Sequence, residues 1–290
     1  MNQTISLAKY HGLGNDFILL REEEANRIPK EDFTSFIQAV CDRHTGIGAD
    51  GLIVARTHPF FMEYYNQDGS IAPMCGNGIR CLSCFLRDEG LLQDSPEVTH
   101  QEGKTLIPIE TLAGLKTVEI LQDEPFLVRV NMGQADFDPK AIEALSETPI
   151  WKQEVETEVG DKTIYSFFMS TVHTVLFDEE AMGDIEAKGK ALCFHPLFTK
   201  QTNVNFVNVL DPSHIQVQTY ERGCGVTLAC GTGVCASALV CYLEELCGPS
   251  IEVELKRGTL HIDINENQMV YMTGPAQKIC QATYFYTPSC

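Results

Sequence analysis

The stretch MCGNGIRC at residues 74–81 returns later in the chain as ACGTGVCA at residues 229–236, with the same Cys-Gly-X-Gly order. One copy lies in each half of the 290 residues, which is typical of a chain built from two similar domains. Each copy opens an apolar run compatible with a helix, so Cys75 and Cys230 are predicted at or just before a helix N-terminus. The N–H groups and the dipole of a helix start favour a thiolate over a thiol.

Short strand patterns surround both predicted helices. The first helix is predicted over 76–89, and the second, over 233–247, is apolar on nearly every side and should be enclosed by other elements. We therefore predict an α+β fold with two similar domains, each a strongly curved, mostly antiparallel sheet wrapped around a central helix. Further patterns predict helices at 31–43 and 179–192 and strands at 6–10, 17–21, 52–55, 60–65, 105–109, 116–121, 126–130, 163–170, 173–177, 204–210, 215–220, 252–255, 260–264, 269–272 and 282–286.

The composition excludes several classes of partner. The formal net charge is −19, whereas nucleic acids and anionic membrane surfaces are bound by cationic faces, so neither is expected. The N-terminus lacks a basic segment followed by an apolar core, and the longest apolar run, 234–243, is too short to span a bilayer. We therefore expect a cytoplasmic protein whose twelve cysteines stay reduced.

The cysteine spacing does not predict a metal site. Cys81 and Cys84 form the only Cys-X-X-Cys pair, and no second pair or His-X3-His partner completes a zinc site. We therefore expect no metal. A thiol redox or metal-binding protein stays open as a different class of function, which a zinc assay and a thiol count would separate.

Matched cysteines at two helix starts indicate a particular chemistry. If the halves face each other across a cleft, the N–H groups at both helix ends would hold one carboxylate, with a cysteine on either face of its α-carbon. One thiolate would remove the α-proton while the opposite thiol returns a proton, which is racemisation or epimerisation without a cofactor. A single cysteine is more often a buried apolar residue, and a silent amino-acid-binding protein would need no matched thiols.

The chain contains the motifs HGLGNDF (11–17), GIGADG (46–51), NQDGS (66–70), MCGNGIRC (74–81), TNV (202–204) and ERGCGVTLACGTG (221–233). With these motifs it resembles the diaminopimelate epimerase family over nearly its full length. This resemblance implies interconversion of LL- and meso-diaminopimelate without pyridoxal phosphate, in lysine and peptidoglycan precursor synthesis. It also implies that the last strand returns to the first domain, giving domains of 1–131 completed by 276–290, and of 132–275. Oligomeric state is left open, a homodimer included.

The resemblance also implies roles for individual residues. Cys75 and Cys230 correspond to the paired acid and base, with His173 and Glu221 supporting proton transfer. Arg222 suits the distal carboxylate of the substrate through its planar guanidinium. Carried over by motif, the substrate-binding residues are Asn15, Asn66, Gly76, Asn77, Thr171, Asn203, Glu221, Arg222, Gly231 and Thr232.

Two departures from the family pattern bear on the substrate. The family usually has Gly-Asn-Pro-His where residues 170–173 read STVH, so Thr171 stands in place of an asparagine. A hydroxyl reaches less far than an amide and cannot donate and accept through separate atoms. Ile71 stands where the family usually has Glu. A related two-cysteine racemase with a relaxed or altered substrate, such as glutamate, therefore stays an alternative.

Overall fold

The computed structural model describes residues 3–93, 95–101, 103–178 and 185–287. The chain divides into two compact units, Met1–Val130 with Gly274–Cys290, and Asn131–Thr273. The described helices are α1 (Glu22–Ala25), α2 (Phe33–Cys41), α3 (Gly76–Asp88), α4 (Ile185–Cys193) and α5 (Gly231–Leu243). The described strands are β1 (Gln3–Gly12), β2 (Asn15–Arg21), β3 (Gly51–Thr57), β4 (Phe60–Asn66), β5 (Ile71–Ala72), β6 (Thr99–Gln101), β7 (Lys104–Ile109), β8 (Lys116–Gln122), β9 (Leu127–Gly133), β10 (Ile150–Val155), β11 (Lys162–Phe168), β12 (Val172–Phe177), β13 (Asn203–Asp211), β14 (His214–Glu221), β15 (Gly225–Thr227), β16 (Ser250–Leu255), β17 (Gly258–Ile264), β18 (Val270–Pro275) and β19 (Gln277–Tyr286).

The first unit contains a six-stranded sheet around the helix that follows Cys75. The strand order is β19-β1-β2-β3-β4-β5, in which only β2 and β3 are parallel, with α2 in the crossover between them. Helix α3 packs on β1, β2, β3, β4 and β19, and its residues are buried from Gly76 to Leu86. A second core lies under α2, where Phe36 and Tyr286 are buried. The C-terminal strand β19 thus completes this unit.

The second unit repeats this topology. Strands β10-β11-β12-β13-β14-β15 are paired in the same order and directions as the sheet of the first unit, with the parallel pair at β12 and β13. Helix α4 lies in the crossover between the parallel strands, as α2 does in the first unit. Helix α5 then packs against β12, β13, β14, β16 and β17, and it is buried from Gly231 to Cys241.

The predicted fold class is confirmed, because each unit is a mostly antiparallel sheet enclosing a central helix. The helix predicted over 233–247 was misplaced at both ends. It begins at Gly231, directly after Cys230, and it ends at Leu243 because Glu245 adopts a left-handed conformation with φ of 58°. The N–H groups of Leu246 and Cys247 then bond the carbonyl of Cys241.

Two other predicted helices differ in their bounds, and some described strands were not predicted. The helix predicted over 31–43 is a 3₁₀ turn, Lys30–Asp32, followed by α2. The prediction of a helix from residue 179 falls partly on 179–184, which lie outside the described residues, and α4 begins at Ile185. Strand β10 was not predicted, since its burial alternates only weakly along a charged segment.

Candidate functional site

Cys75 lies immediately before α3. It has an extended backbone with φ of −140°, and its sulfur accepts a hydrogen bond from the backbone N–H of Gly78 at 3.4 Å. The carbonyl of Cys75 accepts from Ile79 N–H, so the helix begins directly after the cysteine. Cys75 is half-buried, as a group that must reach a small molecule should be. A helix start of this kind can hold an anion beside the sulfur.

A chain of hydrogen-bonded polar side chains, here called the polar chain under Cys75, contacts the thiol of Cys75. The thiol donates to Asn15 Oδ1 at 3.8 Å, and Asn77 Nδ2 donates to the same oxygen at 3.0 Å. Asn15 Nδ2 in turn donates to Asp50 Oδ2 at 2.7 Å, and Arg80 donates to Asn77 Oδ1 at 3.0 Å. The carboxylate at one end and the guanidinium at the other fix both amide orientations, so the oxygen of Asn15 faces the sulfur.

The remaining first-unit candidate lies at the end of β4. Asn66 Oδ1 accepts from the Tyr64 hydroxyl at 3.0 Å, and Asn66 Nδ2 donates to Ser70 Oγ at 3.0 Å. Ile71, the departure from the family pattern, follows in β5 and is 54% exposed. Asn66 is therefore held by its neighbours at a turn rather than by the polar chain under Cys75.

Cys230 lies immediately before α5, in the position that Cys75 has before α3. Its sulfur lies 3.5 Å from the hydroxyl of Thr232, and both residues are buried. Position 233 of α5 has no room for a side chain. A methyl group on Gly233 would collide with Asn205 Oδ1 and would lie 3.3 Å from Cys230 Sγ. The start of α5 therefore packs directly onto β13.

His173 is fully buried in β12, where a charged imidazolium would be poorly solvated. Burial lowers the pKa of His173 to about 3, and the positive charge of Arg222 adds to the shift. The imidazole is therefore neutral near pH 7. Its Nδ1 lies 3.2 Å from Asn205 Nδ2, while its Nε2 has no hydrogen-bond partner among the described residues.

Arg222 is surrounded by other predicted residues of the second unit. Its guanidinium donates to Thr171 Oγ1 at 3.3 Å and to the carbonyl of Lys200 at 3.3 Å. Its backbone N–H donates to Asn203 Oδ1 at 3.1 Å, and Asn203 Nδ2 donates to the carbonyl of Val172. Thr171, Asn203 and Arg222 thus form one cluster. Glu221 accepts a hydrogen bond from the Thr227 hydroxyl at 2.6 Å, across β14 and β15.

The sequence-based residue set omitted Asp50, Arg80 and Asn205. Arg80 was visible as a charge between apolar residues of the predicted helix, and it is fully buried. Asn205 was visible as an amide inside the apolar run 204–207, and it too is fully buried. Among the described residues, no group of three or more His, Cys, Asp or Glu is arranged to hold a metal ion.

Comparison with known proteins identifies the family. The family model described as "Diaminopimelate epimerase" matches residues 7–137 and 167–279. The chain belongs to the diaminopimelate epimerase family. A relative named diaminopimelate epimerase from Alkaliphilus metalliredigens is 40% identical over 288 residues, covering 97% of each chain. Another with that name, from Clostridium perfringens, is 37% identical and covers 97% of this chain and 100% of its own.

Solved structures with much lower identity share the fold of this family member. A hydroxyproline epimerase from Agrobacterium vitis has a TM-score of 0.69 at 12% identity, covering 97% of this chain and 92% of its own. A PhzF-family phenazine biosynthesis protein from Bacillus anthracis has a TM-score of 0.64 at 14% identity, covering 97% and 99%. In the described part of this chain, no helix is both long and apolar enough to cross a membrane.

Proposed function

We propose that this isomerase interconverts LL- and meso-diaminopimelate by moving the α-proton between two thiols, without a cofactor. The observation that carries the proposal is the pair of cysteines, Cys75 and Cys230, each immediately before a buried central helix. Full-length similarity to proteins named diaminopimelate epimerase supports the substrate. The product would serve lysine and peptidoglycan precursor synthesis.

The reaction requires one proton acceptor and one proton donor, one from each unit. One cysteine, as thiolate, removes the α-proton, and the other, as thiol, protonates the opposite face of the carbanion. The N–H groups at Gly76, Asn77, Gly231 and Thr232 would hold the carboxylate, where the negative charge of the carbanion develops. Roles reverse with the direction of the reaction, so each cysteine must be able to exist in both protonation states.

The cluster around Arg222 would bind the distal end of the substrate. A planar guanidinium suits a carboxylate, and Asn203 fixes its backbone. The guanidinium donates to Thr171, where the family usually has an asparagine, so a relaxed or altered substrate such as glutamate is the second candidate. Asn15, Asn66 and Glu221 are proposed to complete the substrate contacts, and His173 and Glu221 to support proton transfer.

The test is hydrogen exchange in D2O with reduced protein and no added cofactor. LL-diaminopimelate and, separately, L-glutamate would be followed by proton NMR for loss of the α-proton and by chiral chromatography for inversion. We expect inversion of diaminopimelate, and a fall of about 10²- to 10⁴-fold in Cys75→Ala and in Cys230→Ala. Cys280→Ser, at an exposed cysteine, is the matched control. Full inversion by either alanine variant would refute the two-thiol assignment.

We also make proposals on the domain bounds, the oligomeric state and the cellular location. The division into compact units supports domains of 1–131 with 276–290, and of 132–275, which separate expression of 132–275 would test. A homodimer would be tested by sedimentation at several concentrations. A cytoplasmic location would be tested by fractionating the source cells.

A further inference from the structure

Because the two units repeat one topology, each residue near Cys230 in the second unit can be compared with its counterpart near Cys75 in the first. In the parallel strand pairs, Phe17 stands opposite Gly51 as His173 stands opposite Asn203. Two residues further along, Ile53 therefore corresponds to Asn205. The next strands, β4 and β14, extend the correspondence. Leu52 pairs with Tyr65, and its counterpart Val204 pairs with Tyr220. The residue before each tyrosine therefore also corresponds, so Tyr64 is the counterpart of Thr219.

The contacts at the two helix starts agree with this correspondence. A methyl group on Gly78 would lie 3.0 Å from Ile53 Cδ1, and one on Gly233 would collide with Asn205 Oδ1. Phe17, Ile53 and Tyr64 thus form an apolar and aromatic trio under the first helix, with Phe17 and Tyr64 in edge contact at 5.8 Å. The same three places in the second unit hold His173, Asn205 and Thr219.

The polar trio is completely buried and almost completely hydrogen-bonded. Asn205 Nδ2 donates to the carbonyl of Thr174 at 3.1 Å, and Asn205 Oδ1 accepts from the Thr219 hydroxyl at 3.0 Å. Because a backbone carbonyl only accepts, the amide orientation is fixed with its nitrogen toward β12. The second hydrogen of that nitrogen is directed at His173 Nδ1, 3.2 Å away.

These contacts decide which nitrogen of His173 carries the proton. Nδ1 receives a hydrogen bond, so it must be the unprotonated nitrogen, and the proton of the neutral imidazole is on Nε2. Nε2 is buried and has no partner among the described residues. A buried N–H donor without an acceptor is unfavourable, and the first unit shows that this sheet accommodates an apolar trio at the same place.

We propose that Asn205 is a positioning residue that holds the proton of His173 on Nε2, so that His173 donates a hydrogen bond to an anionic oxygen of the bound amino acid. This inference rests on the proposed function and refines it: His173 supports the proton transfer as a neutral donor to the developing negative charge, and does not accept the α-proton. Asn205 acts only through His173 and the packing of Gly233. Substrate binding supplies the missing acceptor.

The first arm of the test reads the tautomer without substrate. Two-bond proton–nitrogen correlation spectra of uniformly ¹⁵N-labelled protein distinguish a protonated from an unprotonated ring nitrogen. His173 is the only buried one of the eight histidines, and the His173→Gln spectrum identifies its signals by their loss. We expect a protonated Nε2 in the wild-type protein, and a protonated Nδ1 there would overturn the proposal.

The second arm reverses the polarity of the contact. Asn205→Asp keeps the shape but can only accept at that position, so we expect the proton of His173 to move to Nδ1 and Nε2 to lose its hydrogen. We expect kcat/KM for inversion to fall about 10²- to 10³-fold, mainly through kcat, because a donor to the transition state is lost. Asn205→Ile, the counterpart residue of the first unit, should fold and show both tautomers with a similar loss.

The matched control is Ser166→Ala, which removes a buried hydrogen bond to Thr174 on the adjacent strand pair without touching His173. It should keep the wild-type tautomer and kcat. A protonated Nε2 together with wild-type kcat in Asn205→Asp would overturn the proposal. Failure of the proposed function is seen separately, as absence of inversion by the wild-type protein whatever its tautomer.

Discussion

Gly233→Ala should destabilise the second unit although it places a better helix former inside α5. Alanine in a helix interior is favoured over glycine by about 1 kcal/mol. Against this gain, the new methyl group meets Asn205 Oδ1, and overpacking a buried site costs about 1–3 kcal/mol. Asn205 is held by Thr219, Thr174 and His173, so displacing it breaks hydrogen bonds worth about 1 kcal/mol each. We expect a net loss of about 1–5 kcal/mol in the free energy of unfolding.

Tryptophan fluorescence measures this loss in the correct unit. Trp151 is the only tryptophan of the chain, and it lies in the second unit. Its indole N–H donates to Glu244 Oε1 at 2.8 Å, directly after α5 ends, so urea unfolding followed at Trp151 reports on this helix. Gly248→Ala is the control, since the nearest atom to its added methyl is 3.9 Å away. A Gly233→Ala midpoint equal to or above that of wild type would refute the packing argument.

Two further perturbations test the polar chain under Cys75 and the ion pairs that Asp16 makes beside it. Arg80→Met removes a fully buried cation that donates to Asn77 Oδ1 and to the carbonyl of Pro275. The free energy of unfolding of the first unit should therefore fall by about 1–3 kcal/mol per lost bond, measured by urea unfolding with far-ultraviolet circular dichroism. An unchanged urea midpoint would contradict this. Burial opposes the ionisation of Asp16, but hydrogen bonds from Arg43 and Lys9 outweigh it and hold the pKa of Asp16 below its ordinary value. That stabilisation is complete above the unfolded-state pKa of about 4 and is lost as pH falls through the folded-state pKa. Asp16→Asn should therefore shrink the difference between the urea midpoints at pH 6 and pH 3. A difference as large as in wild type would exclude Asp16 as a cause of the stability loss at low pH.

The repeated Cys-Gly-X-Gly pattern, together with the short strand patterns around it, predicted the fold class and both central helices. Glycine and a capping side chain mark a helix start locally, and an all-round apolar segment such as α5 must be enclosed. Boundaries that depend on tertiary contacts were less predictable. Strand β10 pairs with β11 through a bulge, and only its two end residues, Ile150 and Val155, are buried, so no strict apolar alternation marks it in the sequence.

The polar residues beneath the two cysteines were harder to predict for a different reason. Asp50, Arg80 and Asn205 are distant in sequence from the side chains they hold, and their roles follow from strand register, which a single sequence does not give. Asn205 differs from the other two because the repeat itself contains the signal. Aligning the two halves on their cysteines and then on the preceding strands sets Asn205 beside Ile53, an amide where an apolar residue suffices.

The same comparison separates what the fold needs from what the chemistry needs. In both units a methyl group on the glycine three residues after the cysteine would meet side chains of the sheet, those of Met62 and Ile53 at Gly78 and that of Asn205 at Gly233. Only the second unit fills the adjacent space with a histidine, an amide and a hydroxyl, all fully or almost fully buried. A buried polar trio contributes little stability over an apolar one of similar volume, since each group must first lose its water. The proposed role of His173 accounts for this asymmetry, because under that proposal only the second unit supplies an imidazole N–H to the bound amino acid.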